Sequence, residues 1–98
     1  MIAYIKGELV ETLTGSVILD VHGIGYRIYI SGRESEQLTK MGSQVKLHTY
    51  FHVKEDAMQL YGFQHKDDLE VFSLLLGVSG IGPKAALGIL TAFSADDL

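Results

Sequence analysis

The sequence predicts a mainly β chain with a helical C-terminal part: five short strands forming a barrel, then helices joined by a glycine-rich hairpin. Three observations predict it. Apolar residues recur with a period near two through most of residues 1–63. After Phe63 the spacing becomes helical, with Leu69, Phe72, Leu75 and Leu76 on one face, then Ala86, Ile89, Leu90 and Phe93 on another. Between the two helical runs stands Ser79-Gly80-Ile81-Gly82-Pro83-Lys84. The change of period divides the chain into residues 1–63 and 64–98.

In chain order, Ile2, Tyr4 and Ile5 begin the first strand. Leu9 and Val10 continue it beyond Gly7, a strand-interior glycine of the kind that marks a bulge or bend. Ser16–Val21 is the second strand, Gly23-Ile24-Gly25 a turn, and Tyr26–Ile30 the third. Arg33–Leu38 is polar and reads as a short connecting helix. Val45–Val53 and Met58–Phe63 form a hairpin around Lys54-Glu55-Asp56-Ala57. Five strands with a helix between the third and fourth is the order of an OB-fold barrel. An SH3-like barrel or a five-stranded meander carries similar patterning.

The loop at 79–84 is the most chemically informative segment. Glycines one residue apart permit a tight turn and leave the amides uncovered. Pro83 suits the first helical position, where its missing N–H costs nothing, and Lys84 follows in the first turn. The product is a helix N-terminus with bare N–H groups and a neighbouring cation, suited to phosphate. Asp67 and Asp68 sit at the start of the preceding helix, where its dipole favours negative charge. The helix–glycine hairpin–helix unit resembles the helix-hairpin-helix motif, which binds DNA backbone without reading sequence. Gly80-x-Gly82-x-x-Ala85 formally fits a dinucleotide fingerprint, but that motif must follow a strand. Gly77 and Gly82 have P-loop separation, but Pro83 stands where the lysine belongs. A helix C-cap glycine followed by a tight turn between packed helices is the purely structural alternative.

Composition bounds the rest. Ninety-eight residues, 47% of them hydrophobic and only one a proline, suit one ordinary domain or two very small ones. No run approaches the roughly 20 apolar residues that cross a bilayer, and no basic leader precedes an apolar run at the N-terminus. Cysteine is absent, which excludes disulfides and thiolate metal sites and fits a cytoplasmic protein. The net charge of −4 argues against a generally basic nucleic-acid surface. Residues 1–63 carry 6 basic and 7 acidic groups and residues 64–98 carry 2 and 5, so the more acidic part holds the proposed DNA loop. Recognition through backbone amides lets local geometry outweigh average charge.

Tyr26, Tyr29, Tyr50, Phe51 and Tyr61 offer stacking surfaces for bases, although aromatics are favoured in strands for packing alone. His48 and His52 share a strand face but stand roughly 13 Å apart, too far for one metal. His22 and His65 lack local partners, and Ser16, Ser79 and Ser94 lack a nucleophile setting. Ser94 with Asp97 reads as an N-cap opening a third helix. No catalytic residue, metal or cofactor is assigned. Glu55 and Asp56 at the hairpin tip read, from the residues alone, as solvated turn acids. On a projecting tip they would also repel phosphates, by roughly 1 kcal/mol at 4 Å in water and about 4 at an effective dielectric of 20.

Together the two parts resemble the RuvA family, bacterial Holliday-junction-binding subunits of the branch-migration machine. The residues that carry the resemblance are Met1-Ile2 with Gly7, Gly23-x-Gly25-Tyr26, Glu55-Asp56-Ala57 with Leu60-Tyr61-Gly62-Phe63, Phe72, and Gly80-Ile81-Gly82-Pro83-Lys84 with Ala86, Leu87 and Ile89-Leu90. The match runs in order over essentially the whole chain. It implies an OB-fold domain I (residues 1–63) and the first part of a helix-hairpin-helix domain II (residues 64–98). It implies a non-catalytic homotetramer that binds four-way junction DNA in recombination and repair and targets the RuvB ATPase, with the RuvC resolvase as a further partner. Glu55 and Asp56 match the family's acidic pin. Ser79, Gly80, Ile81, Gly82 and Lys84 match its first DNA-gripping hairpin. The family continues with a second helix-hairpin-helix and a third domain that binds RuvB, so these residues are expected to be an N-terminal piece. Two other readings remain: a generic OB and helix-hairpin-helix module of another repair protein, and a structural oligomerisation domain whose glycine loop only packs helices.

Overall fold

The computed structural model describes residues 1–93. Strands β1 (Tyr4–Leu13), β2 (Ser16–Val21) and β3 (Ile24–Tyr29) lead into a short helix α1 (Gly32–Gln37). Strands β4 (Gln44–Val53) and β5 (Met58–Phe63) follow, then helices α2 (Lys66–Leu76) and α3 (Pro83–Ala92). The strands close a barrel in the order β1-β2-β3-β5-β4, antiparallel throughout except where β3 runs parallel to β5. This closed five-stranded arrangement, with its helix between β3 and β4, is the OB-type barrel expected from the strand order, and closure removes every exposed edge.

Alternation sets the core. Ile5, Leu9, Val17, Leu19, Ile28, Val45, Leu47 and Leu60 point inward and form one buried cluster. β5 differs, because Leu60, Tyr61, Gly62 and Phe63 are all buried. Its inward residues fill the barrel, while Tyr61 and Phe63 face outward beneath the helices. There they form a second cluster with Phe72, Ala86 and Leu90. The helices thus share a core with the outer face of β5. Phe72 is fully buried and meets Tyr50, Tyr61 and Phe63 at ring separations of 5.5, 5.4 and 5.1 Å. Burying such a side chain stabilises by roughly 1.5–3 kcal/mol.

Several expected boundaries shift. β1 runs on to Leu13, because Thr14-Gly15 make a two-residue hairpin with Leu13 opposite Ser16. The second turn is His22-Gly23, both at positive φ (52° and 89°), so Ile24 and Gly25 belong to β3. That conformation matches strand twist in a two-residue turn, and the Asp20 side chain accepts the Gly23 N–H at 2.9 Å. Gly7 is neither bulged nor bent. It pairs in register with Val45, and a Cβ there would stand 2.6 Å from the Asp20 carbonyl oxygen. The bulge falls at Val10, between Leu9 and Glu11.

α1 begins one residue before the expected start. Ser31 caps it, its hydroxyl accepting the Glu34 N–H at 3.3 Å. The buried Glu34 carboxylate accepts the Gln64 backbone N–H at 3.0 Å and the Gln64 side-chain amide at 2.6 Å. This ties the connecting helix to the segment between β5 and α2. α3 ends at Ala92, so Phe93 is extended and half exposed instead of continuing the apolar face. The N-cap expected at Ser94 and Asp97 lies outside the described residues.

Candidate nucleic-acid interface

α2 and α3 pack side by side because each buries one apolar stripe: Leu69, Phe72, Leu75 and Leu76 from the first, Ala86 and Leu90 from the second. The loop between them is built in three steps. The Gly77 and Val78 N–H groups close the last turn of α2 onto Leu74 and Leu75 carbonyls at 3.1 and 3.0 Å. Val78–Ile81 then forms a tight turn, the Ile81 N–H donating to the Val78 carbonyl at 3.1 Å. Gly80 supplies the positive φ of 87° that a type II turn requires at its third position. Finally Gly82 caps α3 through its backbone, its carbonyl accepting the Ala86 N–H at 3.0 Å, and Pro83 takes the first helical position.

The predicted site residues divide by role. Ser79, Gly80, Gly82 and Lys84 are exposed. The side chain of Ile81 is half buried against the cluster of Tyr61, Phe72 and Leu90, so it anchors the loop from beneath. Among the described residues, the N–H groups of Gly80, Gly82, Lys84 and Ala85 have no acceptor. Those of Gly82, Lys84 and Ala85 mark the positive end of the α3 dipole, in the helical turn that also carries the Lys84 side chain. The two glycines differ. Gly80 is conformationally required. Gly82 is extended, at φ −94° and ψ 179°, and nothing lies within 4 Å of where its Cβ would stand. Its own fold would admit a side chain, so of the two glycines only Gly80 is required by the turn. What glycine adds at position 82 is clearance above the amides.

Glu55 and Asp56 stand exposed at the tip of the β4–β5 hairpin, beyond a turn closed by the Lys54 N–H on the Ala57 carbonyl at 2.7 Å. The base of that hairpin and the start of α3 face one cleft. Lys54, Gln59, Tyr61, Pro83, Lys84 and Leu87 line a cleft of about 420 Å³. Both lysines therefore belong to one concave surface, with the acidic tip beside it. Lys54 escaped the sequence reading. Its neighbour Glu55 drew attention, but only the barrel topology puts residues 54 and 84 on one cleft.

The local charge also differs from the average. Asp67 and Asp68 lie at the start of α2, and Glu70 follows them, so each is about 10 Å or more along the helix from the glycine loop. The aromatic residues serve mainly as packing. Tyr61 is buried; Tyr29 and Tyr50 join the cluster beneath the helices, and Tyr26 and Phe51 pack on the barrel core. Burial, and then the neighbouring Tyr29, pushes the Tyr61 hydroxyl above its usual value of 10.0. That hydroxyl donates to the Gln59 side-chain oxygen at 2.7 Å. Among the described residues, no His, Asp or Glu cluster has a metal-binding arrangement, and no helix is long and apolar enough to cross a membrane.

The family model described as the RuvA N terminal domain matches residues 1–62. A relative from Lachnospira eligens, a Holliday junction branch migration complex subunit RuvA, is 52% identical over all 98 residues, which cover 47% of its own length. Proteins of the same description from Chloroherpeton thalassium and Geotalea daltonii are 44% and 46% identical over the whole chain, each with 49% of its length covered. The chain spans about half the length of the curated relatives it matches. Family model, whole-chain identity and barrel topology agree: the chain belongs to the RuvA family, through its N-terminal domain.

Proposed function

We propose that this chain is the junction-facing part of a non-catalytic DNA-binding subunit, one that recognises four-way junctions and targets a RuvB-type motor to them for branch migration. The observation that carries this reading is the clearance at Gly82. A glycine that its own fold does not need sits over the free amides of a helix N-terminus, beside Lys84. That arrangement suits a phosphate approaching closely from outside. Amides from Gly82, Lys84 and Ala85 donate to phosphate oxygens, and the Lys84 ammonium adds charge. None of these contacts reads a base edge, so the grip is indifferent to sequence.

Selectivity for the junction comes from the acidic tip. In a four-fold assembly each subunit contributes Glu55 and Asp56 near the centre, where four strands exchange partners. Their repulsion of phosphates favours an open path around the tip over a continuous duplex laid across it. Residues 1–63 act as the domain that presents the tip, and residues 64–98 as the first part of the domain that grips an arm. The subunit works as a cytoplasmic bacterial homotetramer, with RuvB, and the RuvC resolvase as a further partner, engaged by the assembled complex. Recombination and DNA repair are the processes it serves.

The test is the affinity of the full-length protein for a four-way junction against a linear duplex of equal length at fixed salt. Preference for the junction by about tenfold or more is expected. Equal affinities would leave a generic duplex-binding module. No binding to either would leave a structural role for the loop.

A further inference from the structure

Residues 32 and 91 are 59 positions apart in sequence, yet they touch where the barrel meets the helices. Gly32 is the first residue of α1, and its N–H donates to the Thr91 hydroxyl at 2.9 Å. Thr91 in turn donates that hydroxyl to the Leu87 carbonyl at 2.9 Å, which fixes its rotamer. The contact is also tight: a Cβ on Gly32 would stand 2.7 Å from the Thr91 methyl.

A six-residue helix is too short to hold itself in water, so α1 depends on what caps it. Ser31 satisfies the Glu34 N–H and Thr91 satisfies that of Gly32, so one cap is local and the other is borrowed from α3. From the same six residues, Glu34 holds Gln64 just before α2. α1 therefore grips the helical pair at the entry to α2 and at the end of α3. Toward the opposite end of α3, roughly 10–14 Å away by helix rise, stand Lys84 and Gly82.

We infer that Gly32 and Thr91 are positioning residues for junction recognition: they set where the glycine loop stands relative to the acidic hairpin. This rests on the proposed function, because only a ligand spanning both features feels their relative placement. A small rotation of α3 about its Thr91 end leaves the loop's own amides intact, so it changes junction binding more than duplex binding.

The test compares unmodified full-length protein with Gly32→Ala, Thr91→Val, Thr91→Ser and the Gly32→Ala/Thr91→Ser double variant. The readout is the ratio of junction to duplex affinity at fixed salt. Gly32→Ala and Thr91→Val are expected to lower the ratio about fivefold, with duplex affinity nearly unchanged. Thr91→Ser keeps the hydroxyl and should match the unmodified protein. The double variant removes the methyl that the new Cβ meets, so it should recover the ratio. Thermal unfolding identifies any variant that fails to fold, and the recovery then decides. An unaltered ratio in both Gly32→Ala and Thr91→Val, or equal loss of junction and duplex binding, overturns the inference and leaves the proposed function standing. No junction preference in the unmodified protein overturns both.

Discussion

Phe63, the last residue of β5, and Phe72, in the middle of α2, meet with ring centroids 5.1 Å apart and their planes tilted by 48°. The pair lies where the barrel's outer face becomes the floor of the helices, and Tyr61 and Tyr50 extend it on the same side. Tilted and edge-on rings at these separations favour one another beyond the area they bury. The consequence is mechanical. A loop carried on α3 inherits the rigidity of the barrel through an aromatic floor, as a flexibly tethered helical pair would not.

Phe72→Ala is therefore expected to destabilise the whole chain by about 3–5 kcal/mol, the range for emptying a large aromatic site. Chemical denaturation checks it. One cooperative transition, with its midpoint lowered, is expected from the shared core. A separate early loss of helical signal, with the barrel unaffected, would show that the two parts fold independently.

The loop glycines separate stability from binding. Gly80→Ala forces a side chain into a positive-φ position and should lower stability by about 1 kcal/mol or more. Gly82→Val enters open space in an extended backbone and should leave the unfolding midpoint nearly unchanged while weakening junction binding. Lys84→Ala should weaken binding to junction and duplex alike and reduce the slope of log affinity against log salt by about 1, as loss of one phosphate contact requires. Gly82→Val and Lys84→Ala that both bind DNA normally would remove the loop from the interface.

Much of this was legible in the sequence, and the failures have physical causes. Alternation located all five strands because one face of each is buried in the barrel, and helical spacing located α2 and α3. Gly80-x-Gly82-Pro83-Lys84 announced a helix start with bare amides, as found. Turn ends were less legible. His22 takes a left-handed conformation that histidine seldom adopts, so the glycine-flanked Ile24 puts the expected turn one residue late at its start and two at its end. The continuous burial of Leu60–Phe63 was open to reading as a barrel strand alone, since pattern does not say what covers its second face. Lys54 and Thr91 were invisible for a common reason: topology alone puts Lys54 on a cleft with Lys84 and Thr91 against Gly32, and neither has a local motif.

Tyr61 gives a pH dependence whose sign is fixed. Its hydroxyl titrates above the usual tyrosine value in the folded chain, from burial first and Tyr29 second. Below pH of about 10 the phenol is neutral folded and unfolded alike, and contributes no slope. Above it the unfolded chain loses the proton first, so the folded state holds more protons and stability falls as pH rises. Tyr61→Phe should flatten the alkaline limb of a stability–pH curve measured from pH 8 to 11, after allowance for the lost Gln59 hydrogen bond. An identical alkaline limb in the variant would assign the fall to other groups.

The acidic tip offers the sharpest test of junction recognition. Glu55 and Asp56 are exposed, so a lone pair on one subunit interacts weakly with DNA through water. In the proposed four-fold assembly the same carboxylates would act on the same few phosphates, and their repulsion would add. Glu55→Gln with Asp56→Asn keeps size and polarity while removing that repulsion. Affinity for linear duplex should then rise more than affinity for the junction, and the ratio of the two should fall about tenfold. Lys54 and Lys84, on the adjoining cleft, would act unopposed on any duplex laid across the face. The comparison belongs at one fixed salt concentration, because salt alone shifts both affinities. With a RuvB-type motor present, the rate of branch migration should change as well, because the strands lose the barrier that steers them. An unchanged ratio together with an unchanged rate would reduce the two acids to solvated turn residues and leave junction selectivity to the arms alone.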